Sequence, residues 1–201
     1  MKGAGGGMRF GRPTAVMVLA VGLSACASTA PIPTYDLTAP QQFPPLRGAM
    51  RGQLVVQEPT ALAILDTDRI VVRPGEDQVA QLSDAQWVDR LPKLLQSRIV
   101  QAFENANRLR GVARPGDRIA PDYQLVVDVR QFALTVGTEA QGEVELSAKI
   151  VAERAGRIVA ARIFRATVPA ASSVGGDAVR AIDEAFGRVV VELVTWASRW
   201  V

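Results

Sequence analysis

The sequence predicts an α+β domain in which a mostly antiparallel sheet of about five to six strands carries two long helices packed on one face. Three observations lead to this fold class. Several short β-branched segments are bounded by proline and glycine, two stretches have apolar residues at helical spacing, and three strands in the second half follow one another through tight turns. The elements therefore read β, β, β, helix, β, β, β, helix along the chain.

The first 25 residues have the pattern of a signal peptide. Three basic residues precede an apolar run at 15–22, which is far shorter than the roughly 20 residues that a membrane-spanning helix needs. The run ends in LSAC at 23–26, which is similar to the lipobox of bacterial lipoproteins. This resemblance implies cleavage between Ala25 and Cys26, a diacylglycerol on the Cys26 sulfur and a further acyl chain, such as palmitate, on the new amino terminus.

Cys26 is the only cysteine of the chain, and its position after the apolar run favours lipid attachment over the alternative, a buried structural cysteine. Several acyl chains hold a protein on a membrane far more tightly than a single one does. Ala27 follows the cysteine, whereas an aspartate at that position retains lipoproteins at the inner membrane of enteric bacteria. We therefore expect the protein at the periplasm-facing inner leaflet of the outer membrane.

Charge and composition exclude several classes of function. Residues 1–25 contain three of the 23 basic residues and none of the 20 acidic ones, so the mature chain keeps 20 of each and is neutral. A neutral chain without a basic tract does not predict nucleic-acid binding. The chain has no histidine, which excludes Ser-His-Asp and Cys-His catalysis and imidazole-bound metals. We expect no metal and no cofactor.

The mature chain divides into a tether and one domain. Residues 26–52 are rich in proline and small residues, which favours an extended leash, and the apolar alternation at Tyr35 and Leu37 is enough for a short edge strand. Residues 53–201 are long enough for a single domain with an ordinary hydrophobic core.

In the first half of the domain, the β-branched segments 53–57 and 68–73 predict strands, each followed by a proline. Ser83 and Gln86 form a capping box in front of apolar residues at helical spacing, which predicts a helix over 84–107. Pro92 lies inside that helix, so the sequence also predicts a kink just before it.

The second half predicts three strands and a helix. Residues 123–136 form the strongest strand pattern, and the parity of their apolar positions changes at 130–131, which indicates a β-bulge. The strands 143–152 and 157–168 complete an antiparallel meander with one solvated face. Asp177 can cap a final helix, whose apolar stripe is wide enough to cover a sheet face.

Two residue pairs on the solvated face of the meander have a spacing that catalysis can use. Ser147 and Lys149 would suit a Ser-Lys dyad, and Glu143 and Glu145 would suit an acid/base pair. A solvated surface explains both pairs more simply, because a lysine acts as a base only where burial lowers its pKa.

The aromatic residues of the two predicted helices divide into core and surface. Trp87 and Phe186 lie on the apolar stripes and are expected in the core. Trp196 lies off the stripe of the last helix and, together with Trp200 and Val201, predicts an exposed apolar patch for a partner.

Four motifs and a long terminal helix, in this order, resemble the family of ABC-type transport auxiliary lipoproteins. The motifs are TYDL at 34–37, DRIVVRPG at 68–75, WVDRLPKLL at 87–95 and DYQLVVDVRQF at 122–132. Each motif is short and apolar, so the resemblance depends on their order over residues 34–200.

The resemblance implies a non-enzymatic, lipid-anchored protein that assists an MCE-type ABC transporter of the Mla or Pqi kind. Its partner would be the periplasmic MCE-domain component of a transporter that moves phospholipid or other hydrophobic substrates between two membranes. The family supplies no catalytic residues, and homo-oligomer formation stays open. Two alternatives remain: a tethered regulator of envelope assembly, such as an activator of a peptidoglycan synthase, and a hydrolase that uses Lys149, Glu143 or Glu145.

Replacement of Cys26 by serine is expected to abolish lipid attachment, because a hydroxyl does not replace the thiol that receives the diacylglycerol. Palmitate labelling and mass spectrometry of the native protein should detect acyl chains on the wild type and none on Cys26→Ser. Ser28→Ala, just outside the lipobox, serves as the control and should be acylated normally. An unmodified and uncleaved amino terminus on the wild-type protein would contradict the lipoprotein assignment.

Overall fold

The computed structural model describes residue 3 and residues 31–45, 52–75 and 77–201. The chain divides into two units, Met1–Pro31 and Ile32–Val201. Apart from residue 3, the predicted signal peptide lies outside the described residues, and so do the cleavage site, Cys26 and the tether residues 27–30 and 46–51.

Two helices and nine strands lie within the described residues. The helices are α1 (Leu91–Ala106) and α2 (Gly175–Ala197). The strands are β1 (Thr34–Tyr35), β2 (Gln53–Val56), β3 (Thr60–Ala61), β4 (Arg69–Gly75), β5 (Gln78–Trp87), β6 (Gly111–Ala113), β7 (Tyr123–Val136), β8 (Ala140–Ala152) and β9 (Arg157–Pro169). Among these residues, no helix is both long and apolar enough to cross a membrane.

The described strands form one sheet, which is organised around β7. One edge of β7 pairs antiparallel with β8, which in turn pairs antiparallel with β9. The other edge of β7 pairs in parallel with three strands in turn. The start of β7 pairs with β2, the middle of β7 with β3, and the last part of β7 with β4. Beyond these strands, β6 pairs with β2, β5 pairs with β4, and β1 pairs with β5.

The prediction of a mostly antiparallel sheet of five to six strands is wrong. The sheet of the described residues has nine strands, and parallel pairs occur beside antiparallel ones. The segment from β2 to β4 runs alongside β7 in the same direction, which makes these pairs parallel. A strand of two residues such as β3 is too short to show a periodic pattern in the sequence.

The largest local error of the sequence prediction concerns β5. Residues 84–87, which the sequence predicts at the start of a kinked helix, belong to a ten-residue strand, and α1 begins only at Leu91. Trp87 is buried in the core as expected, but from a strand. Pro92 lies in the first turn of α1, where a proline has no intrahelical hydrogen bond to lose, so the reason for the predicted kink disappears.

The predicted strands in the first and second halves are confirmed as β2, β4, β7, β8 and β9. The register between β7 and β8 shifts between Val129 and Gln131, where the parity change predicts the bulge. The alternation along β8 is also confirmed, because its inward side chains are fully buried: Val144, Leu146, Ala148 and Ile150.

Both helices pack into one hydrophobic core on one face of the sheet. Phe186 of α2 meets Phe132 of β7 edge to face, with 6.0 Å between the ring centroids. Gly142 of β8 lies directly beneath the α2 backbone, since a Cβ on it would be 2.4 Å from the carbonyl carbon of Ala181. The missing side chain at Gly142 therefore sets how closely α2 approaches the sheet.

Gly142→Ala should lower the free energy of unfolding by about 1–3 kcal/mol, because the added methyl group overlaps the backbone of α2. Chemical unfolding of the purified protein measures this change. Gly137→Ala in the β7–β8 turn is the matched control, since a methyl group there meets no atom within 4 Å. Equal stabilities of the two variants would show that α2 does not depend on the close approach.

Candidate interaction surfaces

Residues 32–45, which the sequence assigns to a tether, are attached to the folded body, and we call them the strap. β1 supplies the expected edge strand. The backbone N–H of Thr38 donates to Oδ1 of Asp183 on α2 at 2.7 Å, and the side-chain amide of Asn105 on α1 donates to the carbonyl of Pro40 at 2.9 Å. Two apolar side chains of the strap are buried in the core, Leu37 and Ala39.

An ion pair fastens the strap to α1. Arg98 donates from Nε to Oδ1 of Asp36 at 3.2 Å and from Nη2 to Oδ2 of the same carboxylate. The hydrogen bonds from Arg98 lower the pKa of Asp36 below its ordinary value of 3.8; partial burial opposes them, and the backbone N–H of Leu37 adds to the lowering. The carboxylate form of Asp36 is therefore the form that holds the strap.

The face of the sheet opposite to the core, the open face, carries the residues that the sequence suggests for catalysis. β8 directs four polar side chains to this face: Glu143, Glu145, Ser147 and Lys149. Ser147 lies opposite Ile163 of β9, and Lys149 lies opposite Ala161. Lys149 is exposed to solvent, so the structure provides no burial that would turn it into a base.

The β-bulge of β7 builds a charged site around Glu145. The extra residue of the bulge leaves Arg130 and Gln131 on the same side of the sheet, facing the outward side chains of β8. Glu145 is 8% exposed, and its Oε2 accepts hydrogen bonds from Nε of Arg165 at 2.6 Å and from Nη2. Its Oε1 lies 3.5 Å from Nη1 of Arg130. Both oxygens of this carboxylate therefore face guanidinium groups.

Glu143 completes this polar site, which borders an open groove of about 350 Å³. Its Oε2 accepts a hydrogen bond from Nε2 of Gln131 at 3.2 Å. An acid/base pair needs two carboxyl groups that are free to exchange protons with a substrate. Because Glu145 binds two arginines and Glu143 binds an amide, the site suits recognition of a polar surface better than proton transfer. Among the described residues, no group of three or more potential ligands could hold a metal ion.

Sequence reasoning missed the two arginines of this site for different reasons. The outward direction of Arg130 follows from the parity change at the bulge, so the sequence contained a signal for it. Arg165 lies opposite Glu145 only because of the register between β8 and β9, which the turn between them sets. No local pattern predicts that register.

The apolar patch that the sequence predicts at the C-terminus is only partly exposed. Trp196 is 7% exposed and packs edge to face on Phe164 of β9, with 5.4 Å between the ring centroids, so the expectation that it is exposed is wrong. Trp200 is 45% exposed. Val201 is partly buried, with Cγ1 3.0 Å from the position of a Cβ on Gly52. Trp200 is therefore the most accessible of the three predicted contact residues.

A further surface, which the sequence does not indicate, runs along the outer side of α2. An open groove of about 800 Å³ lies between Pro40 of the strap and Gly187 and Val191 of α2. Its rim is charged, and Arg188 donates to Oε1 of Glu184 there at 2.6 Å. Because the docked strap forms one wall, the groove does not follow from the pattern of α2 alone.

The chain is similar to a family with a described role and to a longer protein. The model of a family described as ABC-type transport auxiliary lipoprotein component matches residues 35–194. The uncharacterized protein bll6063 of Bradyrhizobium diazoefficiens is 36% identical over 163 residues, which are 81% of this chain and 44% of that protein. The chain therefore spans less than half the length of this curated relative.

Two solved structures have a similar fold. The crystal structure of protein XCC0632 from Xanthomonas campestris has a TM-score of 0.76 and 29% sequence identity, and the match covers 83% of this chain and 95% of that chain. The structure of the hypothetical protein CT253 from Chlamydia trachomatis has a TM-score of 0.52 and 8% identity, over 75% of this chain and 97% of that chain. The second likeness shows the fold alone.

Attachment of the strap is expected to depend on pH. Since the pKa of Asp36 in the folded protein lies below 3.8, its ion pair contributes stability that is present above pH 3.8 and is lost as the pH falls through the lowered value. Hydrogen exchange of the strap amides should therefore accelerate below pH 3.8 in the wild type. Asp36→Asn should exchange faster already at neutral pH and lack this acid step.

Glu184→Gln is the control for the pH experiment, because Glu184 pairs with Arg188 on the exposed side of α2, whereas the ion pair of the strap joins Asp36 to Arg98. This variant should keep the acid step of the wild type. The same exchange profile in Asp36→Asn and in the wild type would show that the ion pair does not hold the strap.

Proposed function

We propose that this chain, which belongs to the family of ABC-type transport auxiliary lipoprotein components, is a lipid-anchored and non-enzymatic partner of an MCE-type ABC transporter. The family match over residues 35–194 carries the proposal, because it extends from β1 to the last turns of α2. The transporter would move phospholipid or another hydrophobic substrate between the inner and the outer membrane. The role of this chain would be to dock the periplasmic component of that transporter.

In this proposal, the lipid anchor keeps the protein at the membrane. The signal peptide is cut between Ala25 and Cys26, and Cys26 carries the diacylglycerol. Ala27 supports placement at the inner leaflet of the outer membrane, where the body faces the periplasm. The lipoprotein description of the family agrees with this role for Cys26.

The chemistry of the open face supports a binding role. The chain has no histidine, and the nearly buried Glu145 is occupied by Arg165 and Arg130. Lys149, the remaining candidate base on β8, is exposed. These residues offer hydrogen bonds and charges to a partner surface, and none of them is placed to activate a nucleophile.

We place the docking surface for the transporter at the end of α2, around Trp200. Tryptophan is one of the residue types that are enriched among the side chains dominating the energy of protein interfaces. Trp196 supports this surface from inside through its contact with Phe164, and Val201 holds the end of the chain against the body. Trp200 is thus an exposed aromatic group on a well-packed base.

The purified wild-type protein should bind the isolated periplasmic MCE-domain component of an MCE-type transporter from the same organism. Trp200→Ala should weaken this binding about tenfold or more, as expected for an aromatic side chain at the centre of an interface. Leu62→Ala, which removes another exposed large apolar side chain, is the matched control and should bind like the wild type.

The outcomes of this binding experiment separate the parts of the proposal. No binding of the wild-type protein would contradict the transporter as partner, and capture of a peptidoglycan synthase in its place would favour a regulator of envelope assembly. If Trp200→Ala binds with wild-type affinity, the docking surface does not lie at the end of α2.

A further inference from the structure

The direction of β1 determines from which end of the sheet the strap enters the body. β1 runs parallel to β5, β5 runs antiparallel to β4, and β4 runs parallel to β7, so β1 runs opposite to β7. The chain that precedes β1 therefore approaches from the end where β7 finishes and the turn 137–139 lies, which we call the entry end. The far end is the one where β7 begins and where the turn 153–156 joins β8 to β9.

The leash between the predicted lipid anchor and the strap is too short to reach the far end. Cys26 and Ile32 are six residues apart, so their Cα atoms lie within about 22 Å even in a fully extended chain. Pairing through β5 and β4 places Thr34 about level with Gln131, eight residues from the start of β7. Ile32 is two residues closer to the entry end, so roughly 33 Å separate it from the far end along the strands.

The residues just before β1 lie in line with the strand. The carbonyl of Pro33 accepts a hydrogen bond from the backbone N–H of Gln86 at 3.1 Å, which extends the pairing with β5 beyond β1. Pro31 and Pro33 have a fixed φ, and Ile32 favours an extended conformation because a proline follows it. This stiff segment therefore continues the direction of β1 and leads away from the far end.

The surface of the entry end is compatible with lipid headgroups. Val174, directly before α2, is 61% exposed, and Val79 in the β4–β5 hairpin is 45% exposed. The start of α2 is held beside β5, because the backbone N–H of Gly175 donates to Oδ2 of Asp84 at 3.0 Å. Exposed apolar side chains next to a lipid anchor gain free energy when they rest at the membrane interface.

We propose that the body stands upright on the membrane, with the entry end next to the lipid headgroups and the far end directed into the periplasm. The end of α2 belongs to the far end, since Val201 and Tyr123 both approach Gly52 there. Trp200 is then held away from the bilayer, where a component that extends from the opposite membrane can reach it. This inference rests on the lipid attachment that the proposed function assigns to Cys26.

Energy transfer to labelled vesicles tests this orientation. Thr138→Cys at the entry end and Ala155→Cys at the far end both place a thiol in an exposed turn, about 40 Å apart along β8. Each full-length, lipid-modified variant carries a maleimide donor and is bound to phosphatidylethanolamine and phosphatidylglycerol vesicles with a rhodamine headgroup acceptor. Transfer from residue 138 should be several-fold more efficient than transfer from residue 155. Equal or reversed efficiencies would overturn the upright orientation.

A longer leash provides the matched control. A flexible Gly-Ser insertion of about 20 residues between Ala30 and Pro31 frees the body to turn, so the two transfer efficiencies should become similar. A difference that persists with the long leash would show that the leash does not orient the body, and it would also overturn the inference.

The lipid anchor is tested separately in the same samples. An acylated Cys26 does not react with maleimide, and the protein should float with the vesicles. If the protein reacts at Cys26 and does not float, the lipid anchor of the proposed function fails and the orientation fails with it. If the protein floats and both labels transfer equally, the orientation alone is wrong.

Discussion

The architecture of this protein depends on the two hydrogen-bonding edges of β7. This strand is 14 residues long, and β8 occupies one of its edges while β2, β3 and β4 share the other. Strands of two to four residues are not stable alone, because they form too few hydrogen bonds and bury too little apolar surface. β2 and β3 are ordered here because β7 supplies their backbone partners, and α1 can then pack beside them.

The packing of the helices on one face leaves the other face of the sheet available for polar contacts. Gly142 allows α2 to lie close to β8, and the core between them is filled by aromatic and aliphatic side chains. On the open face, the bulge of β7 turns Arg130 toward Glu145, and β9 adds Arg165. A nearly buried carboxylate without such partners would be strongly destabilising, so the bulge and the ion pairs belong together.

The strap connects this fold to the role that the family description gives the protein. If residues 32–45 were free, the body would be held by a long flexible leash and could turn in any direction. Pairing of β1 with β5 and the bond between Asp36 and Arg98 shorten that leash to a few residues. In the proposed lipid-anchored role, the fold would thereby control the position of its surfaces relative to the anchor.

The sequence by itself determined the features that depend on neighbouring residues. The alternation over 143–152 and the parity change at 130–131 predicted β8 and the bulge, because the two faces of a strand alternate with a period of two. The apolar stripe of the last helix predicted α2 and its buried side. The order of four short motifs was enough to indicate the family, which the match over residues 35–194 confirms.

Only the tertiary structure decided the features that depend on residues far apart in the chain. Residues 83–86 have a local pattern for the start of a helix, yet Gln86 pairs with Thr34 of β1 on one side and with Arg69 of β4 on the other, so the segment ends in a strand. Trp196 is buried because β9 places Phe164 against it. Parallel pairing, the register of Arg165 with Glu145 and the docking of the strap likewise require a partner that no local pattern specifies.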